Sequence, residues 1–148
     1  MNATTSPAVR LSAQPPGARL VMRIDALFEA VLAACCVILA VGSPRAGAWR
    51  LPTYLGPAAV SAVALGLLAV AVVLWRLSGR STRQLLAALG AANAATALVT
   101  VWYAVTVSAG TAVRLLLVGA ALVLACLALI QALLARRVPT PSAVHDEL

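Results

Sequence analysis

The sequence predicts an all-α fold, an integral membrane four-helix bundle with both termini cytoplasmic. Three observations predict it. Of 148 residues, 63% are hydrophobic and only 10% are charged, against roughly 25% charged in a soluble domain. The apolar residues fall into four blocks, three of them free of charge over 20 residues or more. The basic residues gather at the edges of those blocks and form no patch.

Three spans follow from length alone. Leu55–Trp75, Leu85–Val107 and Leu115–Leu134 hold 21, 23 and 20 residues without a charge. About 20 apolar residues at 1.5 Å rise cross a hydrocarbon layer of roughly 30 Å. In that medium an α-helix satisfies its own backbone hydrogen bonds, so each block reads as a transmembrane helix.

The first block, from about Arg23 to Val41, carries Asp25 and Glu29. Both acids are assigned to its first turn and a half, where a helix N-terminus favours negative charge. A competing reading is a secretory signal peptide ending at Ala46-Gly47-Ala48. The two acids stand where such peptides carry positive charge, so a retained helix is preferred.

The spans are thus placed at about 23–41, 55–75, 85–107 and 113–135, as one transmembrane domain over 23–135. Residues 1–22 contain Pro7, Pro15 and Pro16 and are read as a disordered cytoplasmic segment. Residues 136–148 form a cytoplasmic tail.

Orientation comes from counting cations. All eleven are arginine. Arg10, Arg19, Arg23, Arg76, Arg80, Arg83, Arg136 and Arg137 lie on one side, and only Arg45, Arg50 and Arg114 on the other. Cations beside spans stay on the cytoplasmic side, so both ends and the middle loop are placed there. Trp49, Tyr54, Trp102 and Tyr103 mark the outer headgroup level and Trp75 the inner one. The expected location is the cytoplasmic membrane, as a multi-pass protein. The lipid bilayer is its expected environment, with a homo-oligomer or a larger membrane complex as partner. The net charge of +7 does not indicate nucleic acid, because no basic face exists.

Chemistry rests on few residues. Glu29, about five residues into helix 1, and Gln131, five before Arg136, come to similar depth, and Asn93 lies a little deeper. An ionisable or amide group in lipid is costly and turns toward the bundle interior. Glu29, Asn93 and Gln131, with Thr96 as a secondary member, therefore form the candidate intramembrane polar site. As glue, such groups contribute about 0.6–2 kcal/mol per hydrogen bond. As a functional site, Glu29 would exchange a proton.

Ala62-xxx-Gly66, Gly90-xxx-Ala94 and Ala121-xxx-Ala125 match the small-xxx-small packing pattern. Cys35, Cys36 and Cys126 lie inside apolar blocks, without metal or redox spacing, and read as packing residues. His145, the single histidine, is in the tail, so no Ser-His-Asp or Cys-His arrangement forms within the membrane. No enzyme activity, cofactor or metal is expected. His145-Asp146-Glu147-Leu148 spell an endoplasmic-reticulum retrieval signal, but a receptor in the lumen does not read a cytoplasmic tail.

The Arg23-Ile24-Asp25-Ala26 start and the element around Asn93 resemble those of small uncharacterised four-helix integral membrane proteins of GC-rich bacteria. That resemblance implies a bacterial membrane protein and supplies no activity. The small multidrug exporters are similar in having four helices and a glutamate in helix 1. Here the chain is longer and Glu29 lies nearer the helix end. The expected role is a non-enzymatic structural or accessory subunit of a membrane complex. The alternative is a small proton-coupled transporter, acting as a dimer with Glu29 as the exchanging carboxylate.

Overall fold

A computed structural model describes residues 16–42, 47–80 and 82–137. Those residues contain four helices: α1 (Pro16–Gly42), α2 (Pro57–Leu77), α3 (Arg83–Thr106) and α4 (Thr111–Arg137). No strand occurs among them. All four are long and apolar enough to cross a membrane.

α1 begins seven residues earlier than the sequence reading placed it, so residues 16–22 are helical and not disordered. Pro16 is the first residue of the helix, where a missing N–H costs nothing and the fixed φ suits the first turn. Ala18 and Met22 are then fully buried against Leu74, Leu86 and Ala135, the one cluster to which all four helices contribute. Proline content argued for disorder, but the buried face of this added turn outweighs it. Residues 1–15 and the retrieval-like His145–Leu148 lie outside the described residues.

The helices pair as two hairpins, α1 with α2 and α3 with α4, and α1 meets α4 over a shorter stretch. Only the α3–α4 pair is joined by a tight turn, while residues 43–56 connect α1 to α2 and residues 78–82 connect α2 to α3. Thr82 caps α3, its hydroxyl accepting from the Leu85 N–H at 3.2 Å. Ser78 closes α2, its hydroxyl donating to the Trp75 carbonyl at 2.8 Å. Between α3 and α4, Arg114 Nη2 donates to the Val107 carbonyl at 2.8 Å and holds the tight turn.

The outside of the bundle is apolar. Ile38, Leu98 and Val105 are each more than 70% exposed, and Leu20, Leu65 and Leu122 more than half. Such a continuous greasy surface does not persist on a monomer in water. It fits a lipid environment. The interior is lined instead by small residues: Ala26, Ala33, Ala64, Ala97, Ala121 and Ala128 are buried. Small residues let backbones approach, which is how helices attract one another where no hydrophobic difference between partner and solvent exists. Gly90 shows the limit, since a methyl group there would lie 3.2 Å from the Ala128 carbonyl oxygen.

The arginine-poor end is tied by backbone. The Gly110 N–H donates to the Arg50 carbonyl at 2.8 Å, and the Ala112 N–H to the Ala48 carbonyl at 2.9 Å. The first loop thus docks on the α3–α4 turn. A side chain at position 110 would run into the Ala48 carbonyl. Tyr54 of the first loop donates its hydroxyl to that of Tyr103 on α3 at 3.0 Å, adding a side-chain link.

Candidate functional site

Among the described residues five polar or charged side chains are buried, and four of them lie in the helices: Asp25, Glu29, Asn93 and Gln131. Three of them close a ring of hydrogen bonds. Asn93 Nδ2 donates to Asp25 Oδ2 at 3.0 Å and to Gln131 Oε1 at 3.1 Å. Gln131 Nε2 donates back to Asp25 Oδ2 at 2.7 Å. Asn93 spends both amide hydrogens in this ring, and Asp25 Oδ2 accepts twice. The ring joins α1, α3 and α4, so it spans the seam between the two hairpins.

The backbone places these groups simply. Asp25 is nine residues from the start of α1 and Asn93 ten from the start of α3, about 14 and 15 Å along each axis. Arg23 and Asp25 are two positions apart, so they leave α1 in nearly opposite directions. Arg23 turns to α2, with its guanidinium carbon 5.0 Å from the centre of the Trp75 ring. A cation over an indole face contributes about 0.5–2 kcal/mol, depending on desolvation. Asp25 turns to α3 and α4. This Arg-x-Asp step makes α1 the helix that holds both neighbours.

The site therefore departs from the sequence reading in two members, Glu29 and Thr96. Asn93 and Gln131 do come together, but their acid is Asp25 and not Glu29. The reason is the early start of α1. Seven further residues move Asp25 out of the first turn and down to the level of the amides. Glu29, one turn deeper, is 8% exposed, and its Oε2 is buried without a hydrogen-bond partner. Asp25 Oδ1 and Arg23 Nε are likewise buried and unpartnered.

Thr96 is not part of the ring. It is exposed and its hydroxyl donates to the Ala92 carbonyl of its own helix at 2.9 Å. Thr100 and Thr106 do the same with Thr96 and Trp102. A hydroxyl satisfied by the preceding turn needs no partner helix, so the threonine face meets the surroundings at no great cost.

Chemically the ring is nearly saturated. It has one carboxyl group and two amides. Among the described residues, no three acidic, histidine or cysteine side chains gather to hold a metal ion. Cys35, Cys36 and Cys126 are free thiols.

Neither a family model, nor a curated protein, nor a solved structure matches this chain. The class defined by the fold is thus a small four-helix protein whose helices are long and apolar enough to cross a membrane, with one inter-hairpin polar ring.

Proposed function

We propose that the chain is a non-enzymatic, multi-pass protein of the cytoplasmic membrane that serves as a structural or accessory subunit of a membrane complex. Both ends lie in the cytoplasm, on the side of the eight arginines. The observation that carries this reading is the closed Asp25–Asn93–Gln131 ring. These intramembrane polar groups are engaged with one another, in the manner of glue between helices. Little of the polar inventory is left over for turnover of a substrate.

The test is extraction of the tagged protein in a mild detergent, followed by native gel electrophoresis and mass measurement. An accessory subunit migrates in an assembly larger than itself, and that assembly dissolves when its own partner is deleted. A monomer under every mild condition overturns the reading.

A second reading, a dimeric proton-coupled transporter, is favoured by one observation. Glu29 has a buried carboxylate oxygen that no group among the described residues satisfies. An unsatisfied ionisable group inside a membrane is a hallmark of ion pathways. In liposomes enclosing a pH-sensitive dye, the transporter moves protons under an imposed potential, and Glu29→Gln stops it while the protein still inserts. Equal traces with and without protein reject it.

A further inference from the structure

α3 and α4 enclose, on their outward side, an open groove of about 870 Å³. Its two ends differ. Toward the arginine-rich end its walls are mainly alanine, Ala87, Ala91 and Ala94 on α3 and Ala125, Ala132 and Ala135 on α4, interrupted by Leu129, with Gly90 and Ala128 at the floor. Toward the other end Leu98, Val101, Val118 and Leu122 make most of the wall, beside Ala97 and Ala121.

The part walled mainly by small residues is therefore the half toward the arginine-rich end. From Arg83 to Ala94, and from Arg136 back to Ala125, there are eleven residues, or about 16 Å at helical rise. That is about half of a 30 Å hydrocarbon layer. Directly over this half stand Arg83, the first residue of α3, and Arg136, in the last turn of α4. Both are exposed and both line the groove.

We infer that this groove holds one anionic phospholipid of the leaflet at the arginine-rich end, with its phosphate between Arg83 and Arg136 and an acyl chain along the alanines. Two guanidinium groups present planar N–H forks that match phosphate oxygens. The chain of such a lipid ends near mid-membrane, where the small-residue walls end. A partner helix would need a groove of even depth across the whole layer. A second copy of this chain is disfavoured by charge, because the other helix ends on this side carry Arg19 and Arg76 and would face Arg83 and Arg136 with like sign.

The inference rests on membrane insertion, which the experiment reads separately. The full chain is placed in nanodiscs of phosphatidylglycerol and phosphatidylcholine in equal parts, with matched acyl chains. It is then released for native mass spectrometry. Recovery in the nanodisc fraction reports insertion. Retained lipid reports the site. The wild type retains one phosphatidylglycerol in preference to phosphatidylcholine. Arg83→Gln with Arg136→Gln lowers that preference by tenfold or more, at about fivefold per arginine. Ala91→Phe fills the groove and removes the bound lipid of either kind. Arg76→Gln, outside the groove, leaves retention unchanged.

Two results overturn the inference in a protein that inserts. One is equal retention by the wild type and the double arginine variant, or an equal loss with Arg76→Gln. The other is a dimer abolished by Ala91→Phe with lipid retention intact, which makes a second copy the occupant.

Discussion

Asp25 and Gln131 are 106 positions apart in the chain, yet the Gln131 amide donates to the Asp25 carboxylate at 2.7 Å in the buried seam between the two hairpins. The partner is fully buried, and Asp25 is 1% exposed. A double-mutant cycle measures what this contact contributes. Asp25→Ala and Gln131→Ala are expected to be non-additive by at least about 0.5 kcal/mol, the level at which contacting residues couple. Glu29→Ala with Gln131→Ala should add within error. The measurement is reversible unfolding in mixed detergent micelles, followed by tryptophan fluorescence.

Asn93 and Thr96 differ in the same way. Asn93→Ala removes two inter-helix hydrogen bonds and leaves Asp25 Oδ2 and Gln131 Oε1 each short of a donor. The expected loss is about 1–3 kcal/mol. Thr96→Val removes only a bond to its own preceding turn and should cost less than about 0.5 kcal/mol. Comparable losses for the two would show that the ring does not hold the hairpins.

For Glu29 the sign reverses. Its Oε2 is buried without a donor among the described residues, so that oxygen bears an uncompensated desolvation cost. Glu29→Gln is expected to leave stability unchanged or to raise it by up to about 1 kcal/mol. A clear destabilisation in the same unfolding assay would mean that the carboxylate has a partner.

At the other end of the bundle, Gly110→Ala forces the first loop off the α3–α4 turn, because the added methyl meets the Ala48 carbonyl. The cost should be about 1–3 kcal/mol, the range for inserting a methyl group where none fits. Cleavage by an added protease near residues 47–50 should rise with it. Gly119→Ala is the control. Nothing lies within 4 Å of the new methyl, and alanine in place of a helical glycine stabilises by about 0.5–1 kcal/mol.

Much of the fold is legible in the residue order. Four charge-poor blocks of spanning length leave the backbone no alternative to helices that satisfy themselves, so element type and number follow from composition. The depth of Asn93 and Gln131 could also be counted, and they do meet. The identity of their acid could not, because it depends on where α1 begins. Pro15 and Pro16 read as disorder by composition, whereas Pro16 opens the helix and the buried Ala18 and Met22 hold that turn in place. A boundary moved by seven residues replaced Glu29 with Asp25.

The chain by itself thus determined four apolar helices and the approximate level of each polar group, because burial in hydrocarbon is a property of single segments. Only the tertiary structure decided how each helix turns about its own axis. That rotation is set by packing between helices: small residues and Gly90 at the contact, Arg23 against Trp75, and the loop of Ala48 against Gly110. It placed Asp25 and Glu29 inward and turned Thr96 away, which a one-dimensional count of residues does not contain.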